Sequence, residues 1–192
     1  MTNDLTHLVQ FLQTAYTILL GLALGEALKQ FVPDGDQPIR RDRILLLLAF
    51  LFMIFPFFHG MSRYFYSVYL SHPEPKLGPV AGHVMFDGLI FMTLAGLFFV
   101  LSRSLSESHW RRFYGFLLAL LAVDSLWILV CLGFGVNFLP WLWLNIALAV
   151  VLTLSLLHDW PEHSTKPLWI CAATTFCTTA ISYMSMSGFY FP

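Results

Sequence analysis

Six polar side chains that could carry out chemistry interrupt the long apolar stretches of this 192-residue chain. Carboxylates bind protons and cations, and histidine exchanges a proton near neutral pH. An ionised side chain in hydrocarbon costs about 2.5–3.5 kcal/mol on insertion scales, so such groups usually face the protein interior or water and mark ion pathways. The six residues are Glu26, His59, Arg63, Asp87, Asp124 and Asn145.

Structural interpretations compete with the chemical one at most of these positions. Arg63 and Asp87 could form an ion pair at the rim of a bundle, and Glu26 could pair with the nearby Lys29. The histidine of the set could simply pack against its neighbours. Asp124 is the hardest to explain in this way, because a side chain in the middle of the membrane reaches neither water nor the headgroups.

The composition indicates that lipid is the solvent for most of the surface. The chain is 58% hydrophobic and only 11% charged, whereas a soluble domain carries roughly 25% charged residues. A chain of this length could not bury so much apolar surface in a water-soluble core. Its net charge of −1 gives no electrostatic reason to expect nucleic acid as the principal ligand.

Six apolar stretches, each long enough to cross a bilayer, contain most of the chain. A transmembrane helix needs about 20 mainly apolar residues, and helices satisfy every backbone group where water is absent. We therefore predict an all-α integral membrane protein, a bundle of six transmembrane helices in one polytopic domain over residues 1–192. The predicted helices are 8–32, 44–70, 83–101, 113–134, 139–158 and 167–191.

The basic residues predict the orientation. Eight of the ten Lys and Arg residues flank the first, third and fifth connections, and cytoplasmic loops are enriched in such residues. Both termini are therefore predicted on the non-cytoplasmic side of a multi-pass cell membrane protein, and we expect the membrane to be a bacterial inner membrane. The eight residues are Lys29, Arg40, Arg41, Arg43, Arg103, Arg111, Arg112 and Lys166.

This orientation gives each polar residue an approximate depth, since a helix rises about 1.5 Å per residue. His59 and Arg63 are four residues apart and share a helix face; together with Asp87 they form a predicted outer cluster. Asp124 is predicted near the bilayer midplane. From outside to inside, the predicted ion path is His59, Arg63 and Asp87, then Asn145, then Asp124, and finally Glu26.

Other features of the stretches predict helix packing and bending. Gly21 and Gly25 form a small-xxx-small pattern that lets two helices approach closely, either inside the protein or between subunits. Pro56 predicts a hinge in the second helix. Hydroxyls that could line a pore, or bond back to helix carbonyls, follow one face of the sixth helix at Thr174, Thr175, Thr178, Thr179 and Ser182.

Several biochemical classes lack their sequence motifs. The chain has no HExxH, no GxSxG and no phosphate-binding P-loop. Its three cysteines form no CxxC pair, and only one histidine lies well inside a stretch, so neither a metal site nor a haem is predicted. We expect no enzymatic activity and no cofactor.

These observations predict a homo-oligomeric channel that passes cations or protons, with a tetramer as one candidate and the pore on a shared axis. One alternative is a membrane-embedded effector or sensor subunit of a multiprotein system, such as a phage-defence system, triggered by a partner. Another is a small proton-coupled transporter. In the effector or sensor hypothesis, the partner would dock on the basic loops at Arg40, Arg41, Arg43, Arg111 and Arg112.

Overall fold

A computed structural model describes residues 2–32, 40–70, 80–105, 110–133, 136–161 and 164–191. The chain is helical almost throughout these segments. A π-helical segment, Tyr66–Leu70, directly extends the second helix. The seven α-helices are α1 (Thr2–Phe31), α2 (Arg41–Phe65), α3 (Val80–Arg103), α4 (Trp110–Gly133), α5 (Leu139–Leu157), α6 (Lys166–Ser185) and α7 (Ser187–Tyr190).

Five of the helices described, α1 to α5, are long and apolar enough to cross a membrane. The described chain is therefore all-helical, and its five long apolar helices are compatible with a multi-pass membrane protein. Helix α6 has 20 residues, one more than α5, but it is rich in Thr and Ser and falls outside that group. Its predicted crossing of the membrane stays a prediction.

The first and the last predicted helices differ most from the structure, and the fifth differs least. The predicted helix 167–191 is divided at Met186, whose backbone angles of φ −116° and ψ 29° are not helical, so α7 is a separate turn. The predicted helix 139–158 ends one residue earlier, because His158 is extended. At the other end of the chain, α1 begins at Thr2 and not at residue 8, since polar residues can continue a helix beyond the apolar stretch.

The six long helices form a closed ring in the order α1, α3, α4, α5, α6, α2, with α2 returning to α1. We call the end of the ring near Arg41, Trp110 and Lys166 the basic end, where the Tyr114 hydroxyl bonds to the Pro167 carbonyl. The opposite end, near the π segment and α7, is the aromatic end. The ring encloses a core of large apolar side chains, including Phe50, Phe91, Phe98, Phe113 and Leu117.

Pro56 lies inside α2 and is buried there. Because proline has no backbone N–H, the carbonyl four residues earlier, that of Phe52, loses its donor within the helix. The Thr179 hydroxyl of α6 donates to that carbonyl. The predicted hinge is thus bonded to its neighbour, and one member of the hydroxylated face of α6 supplies the bond.

Neighbouring hydroxyls on α6 bond back to their own helix. Thr174 donates to the Ile170 carbonyl at 2.6 Å, and Thr178 donates to the Thr174 carbonyl at 2.8 Å. The sequence predicted that these hydroxyls either line a pore or bond back to helix carbonyls, and these bonds are of the second kind.

The tightest packing at a described glycine is that of the Trp141 side chain of α5 against Gly60 of α2. A Cβ added to Gly60 would lie 2.5 Å from Cη2 and 2.9 Å from Cζ3 of Trp141. The Gly21 and Gly25 pattern of α1 behaves differently, since a Cβ there would meet no described atom within 4 Å. Within the described part of the protein, α1 packs on α3 with another face, so no described contact uses this pattern and its role in helix packing stays a prediction.

Replacing Gly60 by Ala should destabilise the protein by about 1–3 kcal/mol, because the added methyl group overlaps the Trp141 indole in a packed core. The matched control is Gly21→Ala, which should be neutral or slightly stabilising since Ala is the better helix former. Thermal unfolding in detergent, followed by circular dichroism, measures both. Equal melting temperatures for the two variants would contradict the close contact.

The bond between Thr179 and the Phe52 carbonyl should couple energetically to Pro56. Thr179→Val should cost about 1–3 kcal/mol, because it leaves a buried carbonyl without a donor. In a Pro56→Ala background the cost should nearly vanish, since the restored backbone N–H supplies the donor. A double-mutant cycle measures the coupling, and Thr178→Val is the control. A double-mutant cycle without coupling would show that Thr179 does not compensate for the donor that Pro56 lacks.

Candidate functional site

Asp87 of α3 is held by three hydrogen bonds inside the bundle. The hydroxyls of Tyr64 and Tyr69 both donate to its Oδ2, at 2.7 Å and 2.6 Å. Nε1 of Trp127, from α4, donates to its Oδ1 at 2.9 Å. Asp87 is only 4% exposed, so three neutral donors from two other parts of the ring replace water around this carboxylate.

The π segment explains why two tyrosines reach the same oxygen. Tyr64 and Tyr69 are five residues apart, and in a regular α-helix such residues point in clearly different directions. A π-helix has i→i+5 hydrogen bonds, which place residues five apart above one another. The change of helix type at Tyr66 therefore brings Tyr69 onto the face of Tyr64, with ring centroids 6.0 Å apart.

Asp124 of α4 is the second buried carboxylate, with an exposed fraction of 2%. Asn145 of α5, equally buried, donates from Nδ2 to Oδ2 of Asp124 at 2.6 Å. Trp127, which bonds to Asp87, is three residues after Asp124 and lies on the same side of α4. One face of α4 thus links the two carboxylates.

All four of these hydrogen bonds come from neutral groups. A buried carboxylate without a cationic partner is costly to ionise, even where hydrogen bonds compensate for part of the lost hydration. Binding a proton or a small cation removes that cost. We call Asp87 and Asp124 the carboxylate pair.

Three small crevices border these side chains. One of about 10 Å³ adjoins Asp87 and His83, and another of about 10 Å³ adjoins Asp124 and Phe189. The third, of about 20 Å³, lies beside Asn145 and is lined by hydroxyls of α6. Each is about the size needed for a single water molecule. The three crevices lie in the half of the ring nearer the aromatic end.

The half of the ring nearer the basic end is packed with apolar side chains. Those that lie between Asp124 and the basic end are at most 1% exposed, and they come from α3, α4 and α5. This packing closes the interior in that direction. The residues that show it are Phe98, Leu117, Leu121, Leu148 and Leu152.

The predicted outer cluster of His59, Arg63 and Asp87 is divided in the structure. Arg63 does not pair with Asp87; its Nε donates to the Phe189 carbonyl at 3.1 Å. The His59 ring packs against Tyr190, with centroids 5.0 Å apart. His59 and Arg63 face the C-terminal turn, whereas Tyr64, the residue after Arg63, faces Asp87. Successive residues of a helix point in different directions, so neighbours on α2 have different partners.

The inner member of the predicted path also has a different partner. Glu26 does not pair with Lys29; its Oε1 accepts a hydrogen bond from Nε2 of Gln30 at 2.6 Å. The spacing of four residues favours this contact on one helix face. The sequence predicted different depths for Asn145 and Asp124, whereas the structure brings the two side chains together.

A pore on a symmetry axis between subunits would be lined by side chains at the protomer surface. Asp87, Asp124 and Asn145 are at most 4% exposed in the single chain, so they cannot line such a pore in this arrangement. Among the described residues, no group of three or more His, Cys, Asp or Glu side chains could hold a metal ion.

The described basic residues that flank the basic loops lie at one end of the ring. Arg40 is bonded to Asp42 at 2.8 Å and is 65% exposed. Arg111 lies over the Trp110 ring, with 5.5 Å from Cζ to the centroid, and Arg112 lies over Phe116. The predicted docking of a partner on Arg40, Arg41, Arg43, Arg111 and Arg112 stays a prediction.

Sequence reasoning missed the donors of the carboxylate pair. A signal was available, because Tyr and Trp carry a polar atom that usually finds a partner when the ring is buried. Tyr64, Tyr69 and Trp127 are such residues at membrane depth. Their spacing does not reveal their target, since the π segment changes the facing of Tyr69.

Comparisons with known proteins leave the site to be interpreted from its own chemistry. No protein-family model matches the sequence, and neither a curated protein nor a solved structure matches the chain.

Removing one hydroxyl from the Asp87 site should cost stability. Tyr64→Phe and Tyr69→Phe should each lower the free energy of unfolding by about 1–3 kcal/mol, as for hydrogen bonds to a charged group. In an Asp87→Asn background the cost should be smaller, because the amide offers one acceptor oxygen in place of two. Thermal unfolding in detergent measures the cycle.

The matched control for this cycle is Tyr66→Phe, in the same π segment but 52% exposed. It should leave the melting temperature unchanged. If Tyr66→Phe were as costly as Tyr69→Phe, the loss would reflect the π segment in general and not the bond to Asp87.

Proposed function

We propose that this chain passes protons across a membrane through the interior of each protomer, using Asp124 and Asp87 as its exchanging groups. The observation that carries the proposal is the carboxylate pair itself, two acids buried in a membrane bundle and bonded only to neutral donors in the described residues. Intramembrane acids of this kind are typical of proton relays.

The dimensions of the site favour protons over the other predicted cations. A metal cation needs several oxygen ligands around a cavity of its own size, whereas Asp87 already accepts three hydrogen bonds. The crevices of about 10–20 Å³ suit single water molecules. The same dimensions argue against a transporter for a larger solute, since no described crevice would accept one in this conformation.

The proposed orientation follows the positive-inside rule. The basic end would face the cytoplasm of a bacterial inner membrane, and the aromatic end and both termini would face the other side. In this orientation α6 is the sixth crossing, and the crevices adjoin the outer half. The apolar side chains between Asp124 and the basic end would be the closed part of the path, so this conformation would be a closed state.

An oligomer is compatible with this path and is not required by it. The homo-oligomer stays a prediction, as does the membrane-embedded effector or sensor whose partner docks on the basic loops. In either arrangement the proton would pass through the protomer, because the carboxylate pair faces its interior.

Proton flux through purified protein in liposomes tests the proposal. With a pH-sensitive dye inside the vesicles and an imposed potassium diffusion potential, the native protein should acidify the interior faster than empty liposomes. Asp124→Asn should slow this flux at least about tenfold, because an amide cannot exchange a proton at these pH values. The control is Asp159→Asn, an exposed acid outside the helices.

Two results would contradict the proposal. Vesicles that remain as tight as empty ones at every pH and potential would exclude a constitutive proton path. Equal fluxes for the native protein and Asp124→Asn, with Asp159→Asn also unchanged, would show that the flux does not use the carboxylate pair.

A further inference from the structure

The C-terminal turn α7 lies over the crevice that contains Asp124. Phe189 of α7 lines this crevice together with Asp124 and Met61. The Phe189 ring also packs edge-on against Phe138, at the start of α5, with centroids 5.6 Å apart. The Phe189 side chain therefore lies between Asp124 and the aromatic end of the ring.

Long-range contacts hold α7 in this position. Nε of Arg63 donates to the Phe189 carbonyl at 3.1 Å, across 126 residues of sequence. The hydroxyls of Tyr190 and Ser182 are 3.3 Å apart, and Tyr190 is 2% exposed. The His59 ring lies against Tyr190. Arg63 and His59 thus both contact the turn from α2, four residues apart.

The connection to α6 makes α7 a separate short element. Met186 breaks the helix, and α7 itself has only four residues, too few to be stable without tertiary contacts. The position of α7 consequently depends on the Arg63 bond and on the packing of its aromatic side chains. Displacing α7 would break these contacts, including the packing of Tyr190 against Trp141 and Tyr183.

We propose that α7 is a gate over the Asp124 crevice, and that the bond from Arg63 to the Phe189 carbonyl keeps it closed. Displacement of α7 opens the crevice to water at the aromatic end, which lets a proton reach Asp124. The closing role of α7 stands on the contacts above; only its role in proton movement rests on the proposed function. The gate also accounts for Arg63, which the carboxylate pair does not use.

Thiol accessibility at the crevice tests the gate directly. A cysteine introduced by Met61→Cys is treated with a small cationic methanethiosulfonate reagent in proteoliposomes, and peptide mass spectrometry resolves the label at each cysteine. Arg63→Met, which retains the stem but has no donor, should speed labelling at position 61 at least tenfold. Arg63→Lys, which can donate to the carbonyl, should restore slow labelling.

Two further variants and one native residue complete the design. Phe189→Ala removes the ring that covers the crevice, and it should speed labelling without altering Arg63. Arg111→Met removes an arginine at the basic end and should have no effect. The native Cys171 is fully buried in α6 and should stay unlabelled in every variant, which reports that the bundle remains folded.

Each outcome decides the proposal. Slow labelling at position 61 in both Arg63→Met and Phe189→Ala, with Cys171 protected, would overturn the gate. Labelling of Cys171 in both variants would also overturn it, since α7 would then hold the whole bundle together. Faster labelling with unchanged proton flux would support the gate and contradict the proposed function. Faster proton flux with unchanged labelling would support the proposed function and contradict the gate.

Discussion

The absence of water from the hydrocarbon layer is the constraint on which this structure depends, because a polar group buried in the bundle must find its partner inside the protein. The Phe52 carbonyl, left without a donor by Pro56, takes its hydrogen bond from Thr179 of another helix. The Tyr114 hydroxyl bonds to the Pro167 carbonyl by the same necessity. Such bonds also join α2 to α6 and α4 to α6, so satisfying single polar atoms helps to close the ring of helices.

The same constraint gives the two halves of the ring different characters. Around Asp87 and Asp124, neutral donors and water-sized crevices provide a polar interior near the aromatic end. Toward the basic end, large apolar side chains such as Leu117, Leu121 and Leu152 fill the interior. If the proposed proton path exists, the apolar packing toward the basic end closes it in this conformation, and that packing would have to change for a proton to cross.

The sequence predicted the elements of this fold better than the contacts between them. Apolar stretches of sufficient length identified α1 to α5 as possible membrane crossings, since length and hydropathy are properties of a single segment. The contact between Arg63 and the Phe189 carbonyl spans 126 residues, and it depends on how α2 is rotated in the ring. The convergence of Tyr64 and Tyr69 on Asp87 depends on a local change to π-helix. Neither rotation nor helix type can be read from hydrophobic periodicity, so the sequence could not show that Arg63 and Asp87, which it offered as one possible ion pair, have different partners.

The replacement of that ion pair by neutral donors changes what the acid can do. An arginine beside Asp87 would stabilise the ionised carboxylate and make proton binding unfavourable. Tyrosine hydroxyls and an indole N–H stabilise it less, and a hydroxyl can also accept a hydrogen bond when the carboxyl group is protonated. Tyr64 and Tyr69 can therefore remain bonded to Asp87 in either protonation state, whereas a guanidinium group, which only donates, cannot accept from a protonated acid. Arg63 instead donates to the Phe189 carbonyl of α7, so its charge is directed away from Asp87.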